Sequence, residues 1–571
     1  MFRSLKHVAF LRAWIYLENK IKPPLPDAVS HPLFYYSNYL LMNYNLKKEG
    51  NNPDIFLLVK GLTSSEKSYY KKMSKRHADQ NEALHLRLFK LIDETSIIDE
   101  NELCKALDIE NKIHFSGLKA YLHKDILDIL VFQKRNISID TQLFFMQEQI
   151  KTLHEKKLLH LAQKICKKAI ALATQYEKYH SLILLLHLQN RVLEYKDYKQ
   201  FKDTTGIIFS TLRNAIDSHQ LYVENRFLYE KVRLLTYRSW LPITADELHE
   251  IEKAKEILNE MSPVNDKQPV ISLFYLNTMT LCQYMLHENE ACTNTCRSIF
   301  FLWQKNTHLV NEYPLLFLNS INTICYNDFL CNNIPLAEQN LFAYGKIAKE
   351  HLKNEVYNKH FEVIQFNTQL KVFLKTARFD QVKSLIDGKG SIIFSYSAEI
   401  LSPADQLSIK GSVCISYFVM EQWDDAETLL SVIKEQNQHI NREDILYFSL
   451  LFFLVILYEK KEWERLDSAL KSAYHFLYAR KKLRPFEREL MLFLGHLSAA
   501  ESKRSTNELI NNFLQRLNDY RNDPDKNLYF LYFNYYGWLE SKVMNLRYMD
   551  YLKEQLKPVT EDTQMIAESS T

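Results

Sequence analysis

The sequence predicts an all-α fold, a right-handed superhelix (α-solenoid) of antiparallel helix hairpins that recur with a period of roughly 40–45 residues. Three observations carry this. Only 10 Gly and 14 Pro occur in 571 residues, too few for strands joined by tight turns. A pattern returns four times in the second half: an apolar anchor (Ala337, Val382, Ala426, Leu466) is preceded three residues earlier by Ile334, Phe379, Trp423 or Trp463. Eight and nine residues before the anchor lies a second, mostly apolar pair: Asp328/Phe329, Phe373/Leu374, Tyr417/Phe418 and Leu457/Tyr458. Finally, Ala426, Leu429, Leu430, Ile433 and Leu466, Ala469, Leu470, Ala473 follow the i, i+3, i+4, i+7 rule of one helix face.

Residues 1–50 read as an irregular N-terminal arm, because Pro23, Pro24, Pro26 and Pro32 interrupt any helix. A second reading places the natural start at Met42, just before the first strong helix signal, and both stay open. Residues 51–140 form a predicted helical cap region. Thr63-Ser64-Ser65-Glu66 is a capping box that starts a basic helix carrying Lys67, Lys71, Lys72, Lys75 and Arg76. Ala83–Ile92 follows with Leu84, Leu88 and Leu91 inward. Then come Glu100–Leu107, a break at Asp108–Asn111, and Ser116–Phe132, whose apolar face combines Leu118, Tyr121, Leu122, Ile126, Ile129 and Leu130.

Residues 141–556 are the predicted repeat array, which brings the expected total to about twenty to twenty-five helices. Thr244-x-x-Glu247, Ser402-Pro403-x-Asp405 and Ser505-x-x-Glu508 are start signals. Gly388 and Gly390 are expected to end a helix near Asp387, since the G-x-x-x-x-G-K-[ST] spacing of a phosphate loop is not met. The uncharged runs Ile445–Tyr458 and Val270–His287 read as helices buried on several sides rather than as membrane spans, which need roughly 20 apolar residues. Leu528–Trp538 is apolar almost all round a helix, with Tyr529, Phe533 and Tyr536 sharing one stripe at i, i+4, i+7. That stripe is the candidate partner-binding contact at the end of the array. Residues 557–571 turn polar and aperiodic, as a disordered tail does.

Tyr417, Ala426 and Leu430 on paired helices resemble the tetratricopeptide repeat (TPR), in which an aromatic on the first helix interlocks with small and large apolar residues on the second. The period exceeds the usual 34 residues. The small-residue position of the first helix holds Cys325, Leu370, Cys414 and Leu454, so the helices are expected to stand further apart. Leu62–Tyr70, followed by Leu86–Asp93 and Leu118–Leu130, is similar to the start of a bacterial group of TPR-like proteins of uncharacterised function. The resemblance implies a protein-interaction scaffold that takes a protein or peptide on a helical-repeat surface. It implies no activity, cofactor or small-molecule substrate.

Two other functional classes fit the sequence less well. A transcriptional regulator with a helix-turn-helix-like N-terminal part needs a recognition helix with side chains for bases and phosphates. In Ser116–Phe132 the apolar face leaves Lys119, His123 and Lys124 exposed beside Asp125 and Asp128. The overall formal charge of +3, from 72 basic and 69 acidic residues, supplies no field for nucleic acid either. An enzyme on an α/α toroid places paired carboxylates on long loops, whereas connections here are short. Cys292-x-x-x-Cys296 with Cys325 and Cys331 sits in helical sequence rather than on zinc knuckles. The 8 cysteines, mostly in apolar stretches, read as reduced core residues of a cytoplasmic protein.

Overall fold

The computed structural model describes residues 54–556 apart from 75–83, 96–99, 136–137, 194–197, 239–244, 262–266, 332, 441, 481–482, 500–502, 523–529 and 531. The expected N-terminal arm, the cap at Thr244, the residue Tyr529 and the C-terminal tail lie outside the described residues. Among those described there is no strand, and 24 α-helices carry the chain. None is long and apolar enough to cross a membrane.

The N-terminal helices are α1 (Asp54–Gly61), α2 (Ser64–Ser74), α3 (Leu84–Glu94), α4 (Glu100–Ala106) and α5 (Lys112–Lys134). The capping box forms as expected: the Thr63 N–H donates to the Glu66 carboxylate at 2.9 Å, and the Glu66 N–H donates to the Thr63 hydroxyl at 3.2 Å. Val59, Tyr70, Leu88, Phe89, Leu122 and Ile126 meet in one core. The inward face of α3 is Leu86, Leu88, Phe89 and Ile92, with Leu91 half-buried against the same core, so of the expected Leu84, Leu88 and Leu91 only Leu84 departs. Leu84 is the first helical residue, so no preceding turn brings it to the core, and it is exposed. Tyr121 is also exposed, its ring edge-on to His85 at 5.2 Å.

The array begins with α6 (Ile139–Glu155), α7 (Leu159–Gln175), α8 (Tyr179–Leu193), the 41-residue α9 (Tyr198–Arg238) and α10 (Ala245–Glu260). Hairpins follow: α11 (Pro269–Met285) with α12 (Asn289–Lys305), α13 (Pro314–Leu330) with α14 (Ile334–His351), and α15 (Glu355–Lys375) with α16 (Phe379–Ile400). Then come α17 (Pro403–Val419) with α18 (Trp423–Ile440), α19 (Glu443–Glu459) with α20 (Trp463–Ala479), and α21 (Pro485–Ser498) with α22 (Lys503–Asn522). Two short helices, α23 (Tyr535–Val543) and α24 (Tyr548–Glu554), complete the described chain. From α11 onward the first helix of each hairpin packs on its own second helix and also on the first helix of the next hairpin, up to α21. Neighbour-on-neighbour packing of this kind builds a core between repeats.

The recurring sequence pattern is the hairpin turn itself. After α15, α17 and α19 the chain passes through a left-handed residue, Ala377 (φ 51°), Glu421 (φ 62°) and Lys461 (φ 57°). The next amide then reaches back to close a Schellman-type bond: Arg378 N–H to the Phe373 carbonyl at 2.8 Å, Gln422 to Tyr417 at 2.9 Å and Glu462 to Leu457 at 3.1 Å. Asn333 closes the same bond to Asp328 at 2.8 Å. The pair eight and nine residues before each anchor thus supplies the acceptor carbonyls. The residue three before the anchor opens the second helix, and the anchors Ala337, Val382, Ala426 and Leu466 are fully buried. Lys157, Glu177 and His287 make the same turn, with Leu158, Lys178 and Glu288 closing the bond, so the motif extends back to α6. The apolar exception, Asp328, is buried, receives the Asn340 amide at 2.8 Å, and is pushed up to about 6 by desolvation.

Several local expectations are corrected. α16 runs unbroken through Gly388 and Gly390, because Val382, Ile386, Gly390 and Ile393 form a buried stripe whose burial outweighs two helical glycines, each costing about 1 kcal/mol. Ser505 lies inside α22, which starts at Lys503, and Arg504 pairs with Glu508 one turn on at 3.2 Å. Trp423 and Trp463 do occupy equivalent turn positions, but Trp463 is exposed, edge-on to Tyr458 at 5.8 Å. It cannot carry the several kcal/mol of a buried tryptophan. Val270–Met285 lies within α11, with His287 in the turn after it, and Ile445–Tyr458 lies within α19; α11 is buried along nearly its whole length and no residue of Ile445–Tyr458 is exposed.

Candidate functional site

One stripe from each successive inner helix faces a shared cavity of about 1980 Å³. On α9 the stripe is His219, Tyr222, Arg226 and Tyr229, and on α13 it is Asn319, Asn322, Tyr326 and Phe329. On α15 it is His360, Ile364, Asn367 and Lys371, and on α17 it is Asp405, Ser408, Ser412 and Ile415. Spacings of three and four put each set on one helical face. Helices otherwise apolar toward their neighbours therefore turn asparagine, tyrosine and histidine inward.

Lys371 lines this surface. Its ammonium lies 4.9 Å from the centre of the Tyr326 ring, and it has no ion-pair partner among the described residues. The enclosing protein drives its pKa down to about 8 by desolvation. One turn before it, the Asn367 side-chain carbonyl is buried without a donor, and the Ser408 hydroxyl and His219 Nδ1 are buried without partners. Orphaned buried polar atoms of this kind cost about 1–3 kcal/mol each.

Salt links close one end of the cavity. Lys178 bridges Asp140 at 2.7 Å and Glu312 at 3.5 Å and lies 4.7 Å over the Tyr313 ring. Glu177 turns its carboxylate to the N-terminus of α11, where the Val270 N–H donates at 2.7 Å and the Tyr179 hydroxyl at 2.9 Å. Burial outweighs these bonds and raises its pKa to about 7. At the other end the C-terminal segment forms the wall. The Tyr532 hydroxyl donates to Asp444 at 2.6 Å, and Arg442 grips that carboxylate with two bonds of 2.8 and 2.7 Å. The Trp538 indole donates to Glu459 at 2.5 Å.

Of the aromatic stripe expected at the end of the array, Tyr529 lies outside the described residues, and Phe533 and Tyr536 do not share a helix. Asn534 caps α23, accepting the Gly537 N–H at 3.0 Å, so the helix begins at Tyr535 and Phe533 precedes it. A Cβ on Gly537 would come within 2.6 Å of the Asn534 amide, so the tight cap requires glycine. Phe533 is buried against Phe418 and Phe452 at 5.3 and 4.9 Å, and it is removed from the exposed candidates. Tyr536 lines the cavity. Of the N-terminal basic run, Lys67 and Lys71 are committed to Asp93 at 2.8 and 3.0 Å, while Lys75 and Arg76 lie outside the described residues. On α5, Lys119 bonds Glu100 at 2.5 Å.

Sequence reasoning missed Asn319, Asn367 and Lys371. The available signal was polar residues at helical spacing inside segments otherwise read as buried. No protein-family model matches the chain, and no curated protein matches it.

Proposed function

We propose that the chain is a protein-interaction scaffold whose hairpins wind as a TPR-like superhelix and take a peptide segment of a partner in the inner cavity. The observation that carries this is that Asn319, Asn367, Ser408 and Lys371 line one space of about 1980 Å³, with the Asn367 carbonyl and the Ser408 hydroxyl lacking a hydrogen-bond partner. Asparagine and hydroxyl groups alternate donors and acceptors as a peptide main chain does. The tyrosine rings offer rigid apolar area at small entropic cost, and Lys371 offers a partly desolvated cation for a carboxylate or carbonyl.

Selection of random peptides displayed against the full chain tests the reading, with Lys371→Glu and Asn367→Leu chains as counter-targets. Enriched peptides are expected to bind both variants at least roughly tenfold more weakly, the loss of one hydrogen bond to a charged or buried group. Peptides that bind all three chains equally, or the absence of enrichment, would overturn it.

A further inference from the structure

Helix α9 is the longest of the described helices, 41 residues or roughly 60 Å. One side is buried through Ile208, Leu212, Ala215, Leu228 and Val232. On another side Phe209, Ile216, Val223, Phe227 and Leu234 are 54, 48, 49, 70 and 62% exposed. Their separations of seven, seven, four and seven residues keep all five within roughly 40° of one another around the helix. Arg213, Gln220 and Glu230 fill the remaining positions of the same stripe. Alternate steps of three and four are the 3.5-residue repeat of a helix that packs along another helix, and all five apolar side chains of the stripe stay exposed among the described residues.

The stripe is complementary to itself in one direction only. Turned antiparallel about a point between Leu221 and Tyr222, Phe209 meets Leu234 of the second copy, Ile216 meets Phe227, and Val223 meets Gln220. Arg213 then faces Glu230, and by symmetry the pair occurs twice. Arg213 has no ion-pair partner among the described residues, and Glu230 has only Arg233 on its own helix, at 2.9 Å. A parallel alignment would set Arg213 on Arg213 and Glu230 on Glu230, and like charges at a seam select against it.

We propose that α9 is a dimer seam on which a second copy of this chain docks antiparallel, an isologous contact about a twofold axis. The apolar residues of the seam do not line the inner cavity, whereas Glu230 does.

Light scattering during size exclusion of the full chain should give twice 67.8 kDa at micromolar concentration. Phe227→Glu should give the monomer mass with unchanged helicity and melting, because the ring is solvent-facing in the single chain; the expected loss is roughly 30-fold or more in affinity. Arg213→Glu should weaken the dimer, and Arg213→Glu combined with Glu230→Arg should restore it. Under mild oxidation the Ile216→Cys/Phe227→Cys double variant should cross-link copies, whereas Ile216→Cys alone should not. A monomeric wild-type chain, a dimer indifferent to Phe227→Glu, or cross-linking by the single variant would each overturn the proposal.

Discussion

Replacing Asp444 by Leu should loosen the join between the array and its C-terminal segment by roughly 3–5 kcal/mol, the cost of leaving one member of a buried ion pair without its partner. The size follows from the surroundings of Arg442. The guanidinium is almost wholly buried, and it donates to Asp444 at 2.8 and 2.7 Å. The Tyr532 hydroxyl would lose its acceptor at the same time, while its ring, 5.2 Å from Phe448, would stay packed. A long repeat array does not unfold in two states, so the measurement is local: amide hydrogen exchange within Glu443–Glu459. At about 1.4 kcal/mol per tenfold, protection there should fall by between roughly 100-fold and several thousand-fold. The Arg442→Met/Asp444→Leu double variant should recover most of it, since an apolar pair of similar volume is often no less stable than a buried ion pair. Unchanged exchange in Asp444→Leu, or a double variant as loose as the single one, would refute the argument that an uncompensated charge is the cause.

Two further outcomes follow from the turns. Lys461 is exposed at φ 57°, so Lys461→Gly should relieve left-handed strain of about 1–2 kcal/mol against a glycine entropy cost of about 0.5–1 kcal/mol; a higher melting temperature is expected, and a lower one would contradict the turn assignment. Glu177 is raised from 4.5 to about 7, so the folded chain binds more protons than the unfolded chain between those values. Stability should therefore fall as pH rises from about 4.5 to about 7, and Glu177→Gln, whose amide oxygen can still accept from Val270, should flatten that slope in melts across the window.

How much was legible depended on whether a signal was local. The Thr63/Glu66 box and the Ser402 cap, whose hydroxyl accepts the Asp405 N–H at 3.2 Å, are satisfied within four residues, and both formed as read. The repeat spacing was legible because every Schellman bond spans a fixed five residues. Its left-handed residue was not, since Ala377, Glu421 and Lys461 stand where glycine would have marked the turn. Gly388 and Gly390 misled for the converse reason: packing of α16 overrode two breakers. In Leu528–Trp538 almost every residue is apolar, so periodicity could not say where the helix starts, and Asn534 decided it. The cavity was out of reach because Asn319, Asn367 and Lys371 become neighbours only when successive inner helices stack.

Most contacts in this chain are between sequence neighbours, and such a stack can fray one hairpin at a time. The links around Glu177 and Glu312 are of another kind. The Glu177–Val270 bond joins residues 93 apart, the Tyr313–Tyr176 bond 137 apart and the Ile139–Glu312 bond 173 apart. They turn residues 139–313 into a closed loop that includes α9 and α10. Melting cannot pass along the chain through that stretch without releasing the whole loop, and its closure requires more of the chain to be ordered first than any single hairpin does. Folding of this molecule should therefore have a slow step that belongs to the loop, and force applied to its ends should meet its largest resistance there.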